Sequence, residues 1–254
     1  MVSTYLTIAI SVIMGFSVFL SMPIVFYKKL SARNILFLNA LAAGILVFLL
    51  MDIYGDVAAI FGSSTISNPL ELLFLAAFVI MFLFFVLPKG SRDPEENPKR
   101  TSVLAAIGIG LQNLTEGLVF GSSAAAGALS IYVISAIGFT LQNVTEGFPI
   151  AAPLLGSKTK MEKKFVSAAF LISGIPTIIG TIIGLVFFSD YFIILFDAFA
   201  SAAILYVVLV LFHVNIIKAK AGSKEETVDL NCLSYMGILV GFSIAFIVNY
   251  LVVA

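Results

Sequence analysis

Two copies of one polar motif lie thirty residues apart in an otherwise apolar stretch of the sequence, LQNLTEG at 111–117 and LQNVTEG at 141–147. Each copy supplies a glutamine, an asparagine and a glutamate: Gln112, Asn113 and Glu116, then Gln142, Asn143 and Glu146. A glutamine and a glutamate four residues apart share one helix face, with the asparagine about 100° further round. Carboxylate and amide oxygens are hard ligands, so the six side chains are candidate ligands of a metal cation.

The two glutamates are costly wherever the surrounding apolar residues lie in a bilayer. A charged side chain at the centre of a membrane helix costs about 2.5–3.5 kcal/mol on insertion scales. Neither predicted span contains Lys, Arg or His to neutralise a carboxylate. Either the carboxyl groups are protonated or a cation joins them. The alternative is a polar network that only holds helices together, but six polar groups in identical order favour a site.

The spacing of the copies predicts that they meet at one depth. Consecutive spans run antiparallel, so equal depth requires a turn midway between the motifs. The motif centres, 114 and 144, average to 129, which falls in the small-residue stretch GSSAAAGALS at 121–130. Gly117 and Gly147 end the motifs and permit close helix approach, and Gly117 with Gly121 forms GxxxG, as Gly180 with Gly184 does later in the chain.

Two prolines follow the second motif. Pro149 and Pro153 each remove a backbone hydrogen bond and free a carbonyl one turn earlier. For Pro149 that carbonyl belongs to Thr145, inside the motif. The pair is therefore a candidate hinge or a source of one more oxygen ligand, with an ordinary proline kink as the alternative.

The composition predicts which structural elements hold the motifs in place. The chain of 254 residues is 61% hydrophobic and only 11% charged, with a mean hydropathy of +1.13, too few charges to cover a water-facing surface. Its apolar runs are long enough to cross a bilayer. We predict one all-α polytopic membrane domain over residues 1–254, with eight spans at about 5–26, 34–51, 69–88, 102–122, 130–155, 165–188, 191–217 and 231–253.

The basic residues predict the orientation of these spans. All 14 Lys and Arg fall in four alternate connections, at 28–33, 89–100, 158–164 and 218–224. Cytoplasmic loops collect Lys and Arg, so these four face the cytoplasm, 89–100 among them, and both termini lie on the other side. Polar breaks after the third and fifth spans indicate a 3 + 2 + 3 grouping, which would fit an inverted-repeat transporter.

The paired motifs resemble those of the ZIP (Zrt/Irt-like) divalent-metal transporters, whose fourth and fifth helices carry His-Asn-x-x-Glu-Gly-like and His-x-x-x-Glu-Gly-like sequences. FLNALAAGIL at 37–46, SGIPTIIG at 173–180 and AFASAAILYV at 198–207 resemble the second, sixth and seventh helices of that family. The resemblance implies metal uptake toward the cytoplasm, a 3 + 2 + 3 bundle and a homodimer. It also implies alternating access, with the middle helices moving against the rest.

Several residues depart from the family pattern. Gln112 stands where the family usually has His, and Thr177 where many members have a Glu that helps to bind a second metal. The cytoplasmic loop 89–100 has none of the usual histidines. A site without imidazole favours a harder ion than Zn²⁺. We therefore expect Mn²⁺ or Fe²⁺ as the transported ion, with Zn²⁺ as the third candidate, and no organic cofactor.

Asp52 and Asp197 are candidate entrance residues, because acidic groups on a face without bases concentrate cations. Asp56 and Glu71 are explained by solvation of the loop between spans two and three. The sequence has no HExxH, P-loop or nucleophile–base pair, so we expect no enzyme, and a nucleic-acid partner is not indicated. A multi-pass protein of the cell membrane is expected. The other functions considered are a metal sensor or scaffold, and a proton-coupled carrier using Glu116 and Glu146.

Overall fold

The computed structural model describes residues 2–27, 30–63, 67–87, 97–155, 161–220 and 224–253. Within these ranges the chain is helical and contains no strand, which confirms the all-α class. The α-helices are α1 Thr4–Ser17, α2 Ala32–Ser63, α3 Ser67–Val86, α4 Pro98–Ala126, α5 Leu129–Ala151, α6 Lys163–Gly184, α7 Asp190–Lys220 and α8 Lys224–Val253. Val18–Phe26 and Ala152–Leu154 are 3₁₀ segments that continue α1 and α5.

In the part of the chain that the structure describes, seven helices are long and apolar enough to cross a membrane. They confirm an integral membrane protein. The helix outside this group is α5, because Gln142, Asn143 and Glu146 lower its mean hydropathy. The other motif helix, α4, has the lowest mean hydropathy of the seven, 1.5. The two helices that carry the motifs are thus the least suited to lipid and the most in need of polar or protein surroundings.

The second helix is longer than predicted. We expected it to end near residue 51, but α2 continues to Ser63 because nothing stronger than Gly55 and Gly62 interrupts it. Asp52 and Asp56 therefore lie one turn apart on one helix face. Asp56 belongs to a helix and not to a loop, and it is exposed.

The predicted cytoplasmic loop 89–100 lies outside the described residues except for its last four positions. Asn97 caps α4, its side-chain oxygen accepting from the backbone N–H of Arg100 at 3.0 Å, and Pro98 begins the helix. Both are favoured at a helix N-terminus. The end of this connection is therefore the first turn of α4.

The turn between the motif helices lies where the motif spacing predicts it. Gly127, with φ of 70°, ends α4 in the left-handed conformation that glycine adopts without strain. The N–H of Ala128 then bonds back to the carbonyl of Ser123 at 3.0 Å, which caps the last turn. Because α5 begins two residues later, the two motifs run antiparallel at equal distance from this turn.

Glycines set the closest helix contacts. A Cβ atom at Gly117 or Gly121 would overlap the carbonyl oxygens of Thr177 and Thr181, respectively, and the glycines of the GxxxG pair in α6 meet carbonyls of α4 in return. The two GxxxG pairs therefore pack against each other, as small residues do in membrane helices. Beside them, α1 and α6 cross with Gly15 and Gly174 in backbone contact.

The remaining helices pack around this group. α2 lies against α8, where Gly44 and Gly241 meet carbonyls of the facing helix, and α3 packs on α7. Burial separates centre from periphery: 67% of the most apolar stretch is buried in α4 and α7, but only 17% in α3 and 22% in α8. The motif helix α4 is thus shielded by protein, while α3, α8 and the first half of α5 present apolar side chains outward.

Candidate metal centre

A cavity of about 420 Å³ opens beside the motif helices, on the side of the α4–α5 turn. Its wall is largely apolar, but polar side chains from five helices reach it. They are Asp52 and Asp56 of α2, Gln112, Thr115 and Glu116 of α4, Ser135 and Gln142 of α5, Asp197 of α7 and Asn249 of α8. A concave site with a few convergent polar groups is typical of a binding pocket.

The six predicted ligands are all buried, with between 0% and 8% of each residue exposed. Gln112, Glu116 and Gln142 line the cavity. Asn113, Asn143 and Glu146 lie deeper, at 0% exposure, and do not line it. The motifs therefore divide into a layer that faces the cavity and a layer inside the helix bundle.

The two asparagines dock the motif helices onto different neighbours. The amide of Asn113 donates to the backbone carbonyl of Ser173 in α6 at 3.1 Å. The amide of Asn143 donates to the carbonyl of Met14 in α1 at 3.0 Å. Both acceptors directly precede the glycines at which α1 and α6 touch. The amide N–H group of each asparagine thus bonds to a neighbouring helix, and its Oδ1 has no hydrogen-bond donor.

The amide groups of the two glutamines also donate hydrogen bonds. Gln112 Nε2 donates to Glu116 Oε1 at 3.1 Å, which is the i, i+4 pairing expected on one helix face. Gln142 Nε2 donates to Asp52 Oδ2 at 3.3 Å. The Gln112 donor therefore stays within the first motif, whereas the Gln142 donor is directed at α2.

Acceptor oxygens of both motifs remain buried without a hydrogen-bond donor. They are Gln112 Oε1, Asn113 Oδ1, Glu116 Oε2, Asn143 Oδ1, and both Glu146 oxygens. A buried polar group without a partner costs roughly 1–3 kcal/mol, and more if it is charged. So many acceptors in one region require protons, water or a cation.

The carboxylates of the two motifs lie close enough to repel each other. Glu146 also lies near the side-chain amides of Gln142 and Asn113, although neither amide meets hydrogen-bond geometry to it. The motifs of α4 and α5 therefore face each other, as their spacing predicts. Across the described part of the chain, no three His, Cys, Asp or Glu side chains group closely enough to hold a metal. A cation here would depend on amide oxygens beside two carboxylates.

The candidate entrance residues Asp52 and Asp197 both line this cavity. Asp197 is 3% exposed and its Oδ1 accepts from the Thr115 hydroxyl at 2.8 Å. Sequence reasoning missed Asp56 and Asn249 as lining residues. The i, i+4 spacing of Asp52 and Asp56 could have revealed the first, whereas an isolated asparagine in an apolar helix is a weak signal.

Thr177 is fully buried beside Gly117, and its hydroxyl oxygen has no hydrogen-bond partner. The backbone carbonyl of this position lies against Gly117 of α4, whereas its side-chain Cβ lies against Gly15 of α1. The hydroxyl is neutral and only a weak ligand, so it does not supply the charge that a second divalent cation needs.

The two prolines lie where α5 changes geometry. The α-helix continues through Pro149 and ends at Ala151, and Pro153 lies in the following 3₁₀ segment. The hydroxyl of Ser102 in α4 donates to the carbonyl of Ile150 at 2.7 Å. The end of α5 is thus tied to α4, and a hinge role for the prolines stays a prediction.

No protein-family model matches this sequence, and a search of curated proteins gives no match. The resemblance to ZIP transporters therefore stays a prediction from the sequence motifs.

Proposed function

We propose that this protein transports a divalent metal cation across the membrane toward the cytoplasm, through an oxygen-rich site between α4 and α5. The observation that carries the proposal is the set of six buried acceptor oxygens without donors on the two motif helices. The amide donors of Asn113, Asn143 and Gln142 are engaged with α6, α1 and α2, and the Gln112 amide with Glu116 Oε1, so none of them donates to the six oxygens.

A cation satisfies this set better than protons do. Protonating Glu116 and Glu146 adds two O–H donors, which leaves at least two of the other four acceptor oxygens without a donor. A divalent ion such as Mn²⁺ accepts about six oxygen ligands and balances two carboxylates at once. The absence of imidazole from both motifs supports Mn²⁺ or Fe²⁺ over Zn²⁺.

The cavity supports a route to the site. Asp52, Asp56 and Asp197 line it together with Gln112 and Glu116. A cavity lined by one sign of charge raises the local concentration of the opposite ion. We infer that the cation enters here, on the side of the α4–α5 turn, and leaves toward the basic loops.

The membrane arrangement belongs to the same proposal. Eight spans with both termini on the non-cytoplasmic side place all 14 Lys and Arg in cytoplasmic connections. Of those connections, 28–29, 88–96, 156–160 and 221–223 lie outside the described residues. As the resemblance implies, the chain acts as a homodimer, in the cell membrane.

Uptake into sealed vesicles tests the function. Purified protein in proteoliposomes should accumulate Mn²⁺ or Fe²⁺ above the level in protein-free vesicles. Metal binding without accumulation would identify a sensor or scaffold. Proton flux that needs no metal but requires Glu116 and Glu146 would identify a proton carrier.

A further inference from the structure

Asp52 has a donor on each of its carboxylate oxygens. Asn249 of α8 donates from Nδ2 to Oδ1 at 2.7 Å, and Gln142 of α5 donates from Nε2 to Oδ2 at 3.3 Å. All three side chains line the cavity. Asp52 thus joins α2, α5 and α8 around one of the candidate ligands.

We propose that Asp52, held by Asn249, is a positioning residue that fixes the amide of Gln142 with its oxygen available to the cation. This inference rests on the proposed function. An amide has one acceptor end and one donor end, and only the oxygen binds a metal ion. A carboxylate only accepts hydrogen bonds, so Asp52 selects the orientation in which Gln142 directs its NH₂ group to α2. The planar amide then directs the oxygen away from Asp52.

The competing explanation is that Asp52 acts only as a negative charge that attracts cations. Asp56 is the matched comparison, because it lies one turn further on α2 and lines the same cavity. Among the hydrogen bonds of the described residues, Gln142 bonds to Asp52 and none joins it to Asp56. Asp52→Asn and Asp56→Asn each remove one charge, but only the first lets the Gln142 amide adopt either orientation.

A reciprocal exchange separates orientation from charge. Asn249→Asp alone sets two carboxylates against each other and removes the donor that holds Asp52. In Asp52→Asn/Asn249→Asp, the introduced amide donates to the introduced carboxylate and accepts from Gln142. The double variant therefore restores both the net charge and the original orientation of Gln142.

The measurement is the KM and Vmax of Mn²⁺ uptake in proteoliposomes, with Mn²⁺ affinity of the purified protein as a second readout. Changing a residue that orients a metal ligand typically lowers affinity about 10–100-fold, so Asp52→Asn should raise KM by about tenfold or more. Asn249→Asp should raise KM, Asp56→Asn should raise it less than Asp52→Asn, and the double variant should return toward the parent.

Equal KM shifts for Asp52→Asn and Asp56→Asn would overturn the inference, as would a lower KM for Asn249→Asp, which simple charge attraction predicts. If Asp52→Asn does not purify as a folded protein, Asn249→Ala is measured instead, because it removes the donor without adding charge. It should also raise KM, and an unchanged KM would overturn the inference. If Glu146→Ala abolishes uptake but Asp52→Asn leaves it unaffected, the positioning role of Asp52 is refuted and the proposed function is not. A folded parent that neither binds nor accumulates metal refutes the function, and the inference with it.

Discussion

The Thr115 hydroxyl joins the first motif to α7, with its oxygen 2.8 Å from Asp197 Oδ1 and 2.7 Å from the carbonyl of Gln112. The equivalent hydroxyl of the second motif, Thr145, lies 2.7 Å from the carbonyl of Gln142 within its own helix. The two threonines thus share a local arrangement, and among the described residues only Thr115 also reaches a carboxylate on a neighbouring helix.

This difference predicts unequal effects of one substitution at two matched positions. Thr115→Val removes the donor to a carboxylate that is 3% exposed, which should destabilise the fold by about 1–3 kcal/mol. Thr145→Val should cost less, because it breaks a bond within one helix. Thermal unfolding of both variants in detergent measures this, and equal losses of stability would contradict it.

Removal of either motif carboxylate should abolish transport. Glu116→Ala and Glu146→Ala each take away charge and oxygens that the cation requires, while the proteins should still insert and purify. Glu71→Ala is the control, since it removes an exposed carboxylate of α3 that does not line the cavity. Mn²⁺ uptake is measured for all three. Normal transport by both motif variants would show that the motifs serve only in helix packing, and it would refute the transporter proposal.

The identity of the first ligand should set metal preference. Gln112→His replaces an amide oxygen by an imidazole nitrogen, which should shift preference toward Zn²⁺. Imidazole has an ordinary pKa of about 6.5 and binds metal only when deprotonated. Uptake by the variant should therefore rise as pH increases through this range, with a weaker dependence in the parent.

Competition uptake with Mn²⁺, Fe²⁺ and Zn²⁺ at several pH values compares the parent with Gln112→His. An unchanged preference order would place selectivity at the entrance, among residues such as Asp52 and Asp197, and would refute the ligand argument.

Close packing of α4 on α6 should be sensitive to a single methyl group. Gly121→Ala places a Cβ atom against the carbonyl of Thr181, and overpacking typically costs about 1–3 kcal/mol. Gly55→Ala is the control, because a Cβ atom there meets nothing within 4 Å and alanine is the better helix former. A lower melting temperature is expected for Gly121→Ala only; equal behaviour would argue against this helix contact.

The orientation of the spans can be tested by labelling at two described connections. In a Cys232→Ser background, Ser31→Cys should react with a membrane-impermeant thiol reagent only from the cytoplasmic side. Ser130→Cys, beside the α4–α5 turn, should react only from the opposite side. The reverse pattern at either position would refute the eight-span topology.

Much of the local structure follows from the sequence because it depends on neighbouring residues. Apolar runs predict the helices, and the distance between the motifs predicts the turn that Gly127 makes. The i, i+4 spacing of Gln112 and Glu116 predicts their hydrogen bond. The end of α2 was missed, because a polar Asp52–Asp56 pair resembles a loop until the helix is seen to continue past it.

Which groups receive the asparagine donors of the motifs was decided only by tertiary structure. Nothing near Asn113 or Asn143 in the sequence indicates that their amides bond to α6 and α1. Those partners depend on glycine contacts that bring distant helices into register. The same packing brings Asn249 to Asp52 across 197 positions of sequence. Residue types and their spacing determine which oxygens the chain can offer. Helix packing determines which of these side chains find a partner on another helix and which oxygens are left without a donor, because such a bond forms only where the neighbouring helix supplies the matching group.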